Sequence, residues 1–437
     1  YDSRGSFTAI SPYGVPLDFK LMPEYLHTLG YRTGMVGKWN IGHFEENYLP
    51  HNRGFDVSLS FQSDEMHYYN YSIQPPLNGH RPFDMLIGKQ GYPYKAATNV
   101  SGYSTKVFTD RAIDLINLDS TRPLFLYLAY QAVHVPHNTP PEDLYQESDA
   151  WKLANASGDD LRFNFGKVLV ALDKSVKRVV DSLEFAGMLN SSFILLASDN
   201  GGCPSDGSNN FPKRGGKFDL FDGGVRVPAF VYSPMIPDDF QGIIYDHYFH
   251  SVDWLPTILK LADPDNTVQI TTDGVDHSEY LLASKGKGPR LEVLLGLNRW
   301  SVGDAFNVDD LSFEDSSGGI IYRNFKYIMK STHRNWYKPG DYITHNCSCG
   351  VSTSSETDFL FDLKNDPLEE KNLIDTLPDI AALMKLKLRG FYDSARVSEW
   401  RAPEIEQAVG QWMKGHEYVT PWHRENASVN AISNPVL

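Results

Sequence analysis

The chain has 437 residues, of which 41% are hydrophobic, 22% charged and 13% aromatic, proportions that exclude a disordered, collagen-like or coiled-coil protein. Forty Lys and Arg against 55 Asp and Glu give a net charge of −15, so composition implies no basic face for nucleic acid. The longest apolar runs, such as Leu124 to Ala129 and Phe193 to Ala197, fall far short of the ~20 residues needed to cross a bilayer.

In chain order, the first informative stretch is Gly30-Tyr-Arg-Thr-Gly-Met-Val-Gly-Lys38-Trp39-Asn40-Ile-Gly42, a short β-prone run ending in a lysine. A lysine fixed at a strand end can hold an anion, although a lone lysine on a turn is ordinarily just solvated. Ser104 can cap a helix through Val107, Phe108, Ala112, Leu115 and Ile116, which Arg122-Pro123 stops before a strand from Leu124 to Tyr130. His134 and His137 follow that strand, where α/β folds place ligand-binding loops. From Phe165 to Leu183 apolar residues recur at three and four, and Gly187 closes this helix before a strand from Phe193 to Ser198. Both strands read as buried on two faces.

That second strand runs into Ala197-Ser-Asp199-Asn200-Gly201-Gly202, a carboxylate and an amide oxygen side by side. Hard cations such as Ca²⁺ or Mg²⁺ take such oxygens, and Asn-Gly is equally a common turn dipeptide. Next comes Lys213-Arg-Gly-Gly-Lys217, then Gly223-Gly-Val-Arg226 leading into a strand from Pro228 to Tyr232. Here glycines let backbone approach a ligand that the basic side chains neutralise. Asp253 to Ala262 reads as a helix with Pro256 near its first turn.

The run Ser284 to Arg290 is polar and glycine-rich, and it divides the chain into residues 1–285 and 286–437. The first part reads as an α/β domain with a mixed sheet flanked by helices. The second reads as a smaller α+β domain, with alternation over Gly319 to Met329 and Thr357 to Leu363 and helical periodicity over Leu377 to Phe391. The Trp400 to Trp422 tail is expected to pack back on the large domain as core.

Three cysteines, Cys203, Cys347 and Cys349, define no disulfide framework. The last two could be a metal clip, a partner for Cys203, or reduced bystanders, and are expected to be bystanders or to form one disulfide to a cysteine upstream. Six Asn-x-Ser sequons, at Asn70, Asn99, Asn155, Asn190, Asn346 and Asn426, permit glycosylation in the secretory pathway.

Taken in order, these motifs resemble the sulfatases of the alkaline-phosphatase-like superfamily, and within them the arylsulfatase B type. The resemblance spans nearly the whole chain. It rests on Gly37-Lys38-Trp39, Asn52-Arg53-Gly54-Phe55-Asp56, Leu126 to Ala129 ahead of His134, Asp199-Asn200-Gly201-Gly202, Arg214-Gly-Gly-Lys217, Gly223-Gly-Val-Arg226, Asp253-Trp-Leu-Pro256, and Leu360-Phe-Asp362 with Asp366-Pro367. It implies a sulfuric ester hydrolase acting on a sulfated sugar or an aryl sulfate. Lys38, His134 and Lys217 would surround the sulfate group as catalytic and substrate-binding residues, and Asp199 and Asn200 would be ligands of one divalent cation, normally Ca²⁺.

The chemistry suits those residue types. Cations stabilise the charge that develops as the sulfur–oxygen bond breaks, and a histidine can protonate the leaving oxygen. The family nucleophile is a formylglycine made by a formylglycine-generating enzyme from Cys or Ser in a C/S-x-P-S-R motif, which this sequence lacks. By resemblance it is expected upstream of residue 1, on an N-terminal part missing here, together with further Asp ligands and the signal peptide of a secreted or lysosomal protein. The fragment alone is then expected to be inactive. Where the family usually reads Gly-Lys-Trp-His, this chain has Asn40, which cannot exchange a proton near neutral pH. Either His43 substitutes for that histidine, or the protein is a catalytically impaired sulfatase-like pseudoenzyme that binds sulfated glycans.

Overall fold

In a computed structural model, the structure is described for residues 7–118, 121–145, 160–283, 288–298, 300–302, 308–332, 334–338, 355–396 and 400–423. A short helix α1 (Met22–Thr28) leads into strand β1 (Arg32–Lys38), followed by β2 (Val57–Phe61), β3 (Leu86–Lys89) and β4 (Tyr92–Ala96). Helix α2 (Ser104–Leu118) then precedes β5 (Leu124–Ala129). These strands form one sheet in the order β4-β3-β2-β1-β5. It is mixed, because β1 runs parallel to β2 and β5 while β3 and β4 return antiparallel.

Helix α2 forms because Phe108, Ala112, Leu115 and Ile116 share one stripe, which is buried. Phe108 and Leu115 pack with Val36, Leu59 and Phe61 in the core. At the helix's C-terminal end the Arg32 guanidinium donates to the Leu115 and Ile116 carbonyls, satisfying groups the helix leaves unpaired. The long helix α3 (Asp160–Phe185) packs beside α2 and leads to β6 (Ile194–Ala197). After a one-turn helix α4 (Asp222–Val225), β7 (Ala229–Tyr232) pairs antiparallel with β6 as a separate two-stranded unit.

The expectation that β5 and β6 are buried on both faces is not met. No residue of either strand is fully buried, and Tyr127 and Ala197 are exposed. The reason is topological: among the described residues β5 pairs only with β1, and β6 only with β7.

After α5 (Trp254–Ala262) and α6 (Ser278–Ala283), the C-terminal part is built on β8 (Glu292–Asn298), a β9–β10 pair (Trp300–Val302 and Val308–Asp310), β11 (Ser317–Tyr322), β12 (Phe325–Ser331) and β13 (Thr357–Asp362). Four of these make an antiparallel sheet ordered β13-β12-β11-β8. One face is covered by α7 (Pro378–Ser394) through Ala381, Met384 and Leu388. From the other, Ile328, Phe359 and Phe361 pack on Phe221 of the first part.

A buried polar link crosses the same seam. The Lys326 ammonium, fully buried, lies 2.8 Å from Asp222 Oδ1 and 2.6 Å from Glu369 Oε1. One cation thus serves two carboxylates. Burial alone would raise both, but Lys326 outweighs it at Asp222 and holds that carboxyl low, whereas Glu369 stays raised. Arg214, also buried, donates to the Arg334 carbonyl at 2.8 Å and the Glu369 carbonyl at 2.9 Å. The division at 285/286 falls within residues 284–287, outside the described ones.

The tail returns as expected from its aromatic content. Helix α8 (Ile405–Lys414) buries Trp412 completely, in a cluster with Ala9, Phe44, Ile73 and Trp422. No described helix is long and apolar enough to cross a membrane. Cys203 is disulfide-bonded, while Cys347 and Cys349 lie outside the described residues. Asn70, Asn99 and Asn190 are exposed, and Asn155, Asn346 and Asn426 are outside the description.

Candidate functional site

Strand direction explains which loops meet. In the parallel ladder Lys38 pairs with Phe61 and Gly37 with Ala129, so the residues after β1, β2 and β5 emerge at one sheet edge. Gly37, at φ +108°, permits this approach: a Cβ there would lie 1.9 Å from the Ala129 carbonyl oxygen. A second close contact joins the loop after β6 to α4, where a Cβ on Gly201 would lie 1.7 Å from the Gly223 carbonyl oxygen. Lys217 N donates to Gly202 O at 3.1 Å in the same region. The glycine-rich motifs are therefore packing requirements that bring Asp199 and Lys217 to one place.

Four of the five sequence-predicted site residues share an electrostatic neighbourhood. Lys38 Nζ donates to the Asp64 carbonyl at 2.7 Å. Its pKa is lowered, by burial first, with Asp64 and Asp199 opposing and Lys217 adding to the shift. Lys217 Nζ lies 3.1 Å from His134 Nε2. His134 Nδ1 lies 2.8 Å from the Val135 carbonyl, which can only accept, so the hydrogen sits on Nδ1 and Nε2 accepts from the Lys217 ammonium. Burial lowers the His134 pKa, and Lys217 and Lys38 lower it further while Asp199 resists. The imidazole is thus neutral near pH 7, with its lone pair facing a cation.

Asn200 is the fifth. Its backbone N–H donates to Asp199 Oδ1 at 2.8 Å and its amide nitrogen to Gly201 O at 2.8 Å, which fixes the side-chain nitrogen and leaves the oxygen as the atom that could take a cation. Asp199 and Asn200 offer the hard oxygens that suit Ca²⁺, but two donors fill only part of a shell of about six to eight. Among the described residues no group of three or more His, Cys, Asp or Glu converges as a metal site. The pair fits as a portion of a cation site. His250, elsewhere in the first part, bonds the Leu294 carbonyl at 3.0 Å and the Val252 N–H at 3.2 Å.

Sequence reasoning missed the acidic side of this site. Asp64 and Glu65, just beyond β2, interact with both lysines, and Asp206 with Glu65. Burial, then Asp64, pushes Glu65 up to about 7 against the pull of Lys217. The signal available was two adjacent carboxylates directly after a strand parallel to β1. Protonation of Glu65 removes a negative charge beside the two ammonium groups. Affinity for inorganic sulfate is therefore expected to rise roughly three- to tenfold from pH 8 to pH 6, and Glu65→Gln to flatten that dependence in calorimetric titrations.

Asn40 and His43 differ in fate. Asn40 adopts φ +45° and its amide donates to the Phe7 carbonyl. His43 is 1% exposed, lies edge-on to Trp422 at 5.3 Å, and burial lowers its pKa to about 4. Held neutral in the core, it is not placed to take over proton exchange from position 40.

An α/β mixed sheet with its polar loops at one edge and an appended antiparallel sheet is the sulfatase fold. Among solved structures, Ps i-CgsB superposes with a TM-score of 0.69 at 21% identity, covering 94% of this chain and 81% of that one. The same protein has also been crystallised in complex with k-i-k-neocarrahexaose. In sequence, mouse arylsulfatase J is 29% identical over 95% of this chain and 68% of its own length. Bovine arylsulfatase A is 28% identical over 87% and 73%. The sulfatase family profile matches residues 1–264, and the chain belongs to the sulfatase family.

Proposed function

We propose that the protein is a sulfuric ester hydrolase whose pocket takes the sulfate group of a sulfated saccharide. The carrying observation is the 3.1 Å contact between Lys217 Nζ and His134 Nε2, with Lys38 in electrostatic reach of both and Asp199 in reach of Lys38 and His134. Two ammonium groups and an imidazole around one space suit an oxyanion.

The two lysines bind and orient the sulfate oxygens. An anion entering between Lys217 and His134 shields the imidazole from the lysine's charge and raises its proton affinity. His134 Nε2 can then hold a proton and deliver it to the leaving oxygen. A Ca²⁺ held in part by Asp199 and Asn200 would supply further positive charge to those oxygens. The nucleophile in this reading is a formylglycine carried outside the sequence given. The complex of Ps i-CgsB with an oligosaccharide supports a saccharide substrate. The disulfide at Cys203 and the exposed sequons support maturation in the secretory pathway, where a formylglycine-generating enzyme acts.

The test is sulfate release from sulfated oligosaccharides and a chromogenic aryl sulfate by the full-length protein, co-expressed with a formylglycine-generating enzyme. Turnover that needs Lys38, His134 and Lys217 supports the reading, and no turnover of any sulfate ester contradicts it. A second reading, a pseudoenzyme that binds sulfated glycans, is favoured by one feature: Asn40 cannot exchange a proton, and the nearby His43 is buried. Asn40→His is expected to raise kcat severalfold or more if position 40 limits turnover. Glycan binding with no sulfate release from either form favours the binding protein.

A further inference from the structure

Phe218 directly follows Lys217 and has a backbone conformation that works against folding. Its φ is +72°, a region that bulky side chains seldom occupy, and its ring is 71% exposed. Glycine would be cheaper at that position, and burial of the ring does not offset the strain. The backbone on both sides of the residue is nevertheless tied down. Lys217 N donates to Gly202 O at 3.1 Å, Gly216 N to Asp219 Oδ2 at 3.0 Å, and Asp219 N to Gly216 O at 3.0 Å. The Asp219 carboxylate is paired with Arg334, and the buried Arg214 anchors the segment to the C-terminal part. The ring centroid lies 5.3 Å from the Lys217 ammonium, which itself meets His134.

We propose that Phe218 is the platform on which the pyranose ring bearing the sulfate ester stacks. This inference rests on the reading that Lys38, His134 and Lys217 hold the sulfate group. A sulfated sugar has an anionic end and a flat face of C–H groups. Lys217 and Phe218, neighbours in sequence, match those two features, ammonium to sulfate and aromatic face to C–H face. Loop ties that hold the Phe218 backbone in advance confine the ordering cost of binding to the side chain. Phe218 is a specificity residue that contacts the ring and takes no part in proton or sulfuryl transfer.

The test compares wild type, Phe218→Gly and Phe218→Trp by calorimetric titration. The ligands are inorganic sulfate and the tightest binder from a panel of monosulfated galactose, glucosamine and fucose pyranosides. Phe218→Gly is expected to weaken the sugar sulfate about tenfold while leaving inorganic sulfate within about twofold, and Phe218→Trp to retain sugar affinity. Removing the left-handed strain should also raise the thermal midpoint of Phe218→Gly, separating binding from stability. Unchanged sugar affinity in Phe218→Gly overturns the platform, as does an equal loss of sugar sulfate and inorganic sulfate. A wild-type protein that does not bind inorganic sulfate contradicts the underlying sulfate pocket instead.

Discussion

Lys217→Ala is expected to weaken inorganic sulfate binding by about a hundredfold or more, the largest effect of any single substitution in the pocket. Lys217 supplies a charge and also sets the state of its neighbour. Its ammonium donates to His134 Nε2 at 3.1 Å and, together with burial, keeps that imidazole neutral. Its removal takes away the anion's nearest cation, and His134 should then titrate at higher pH, visible in the histidine ring signals in NMR spectra. The sign follows from the neighbours: deleting a positive charge eases protonation, while the burial that also lowers the pKa remains. A gain in His134 basicity offsets only part of the loss, because burial still disfavours the protonated imidazole that would have to replace the ammonium. Sulfate affinity reduced less than about threefold would place the anion away from Lys217.

The second large effect concerns the seam between the two parts. Lys326→Met is expected to destabilise the protein by about 3–5 kcal/mol, read from the denaturation midpoint, because it strands two carboxylates that share one buried ammonium. Asp222 is held low chiefly by that ammonium working against burial, so it has most to lose. Replacing only Glu369 with Gln removes one charge of the three and keeps Lys326 paired with Asp222, and it should cost much less. This link matters to the site as well as to the fold. Asp222 begins the one-turn helix whose glycines contact Gly201, and Arg214 anchors the loop carrying Lys217. Loosening the seam should therefore weaken sulfate binding in a protein that is still folded.

The legible parts of the sequence were those whose local pattern matches their environment. The α2 stripe, the strand before His134 and the Asp199-Asn200-Gly201-Gly202 turn each stand within a few residues of where patterning put them. Strand β1 is visible only as a β-prone run, and β2 to β4 escape a sequence reading because they are short: Val57, Leu59 and Phe61 do alternate with Ser58 and Ser60, but over five residues only, and Gly88 and Pro93 break the patterns of β3 and β4. The turn after β2 is held by a tertiary contact, the Asp84 carboxylate just before β3 accepting from Gln62 N and Ser63 N at 2.8 Å each. The same blindness hid Asp64 and Glu65, whose significance comes from strand order and not from spacing. Burial of β5 and β6 was overestimated for a related reason: apolar composition tells what a strand can bury, while pairing decides what it does bury. The role of Phe218 is likewise written in a backbone angle and an exposed surface, neither of which a sequence displays.

The most direct test of the anion pocket is the position of selenate, a heavier sulfate analogue, located by anomalous scattering in crystals soaked at saturating concentration. The expected result is one strong peak enclosed by the Lys38 and Lys217 ammonium groups and His134 Nε2, and its disappearance in Lys217→Ala. A protein whose selenate sites all lie elsewhere, with that space left without a peak, would contradict the sulfate-binding role assigned to these three residues.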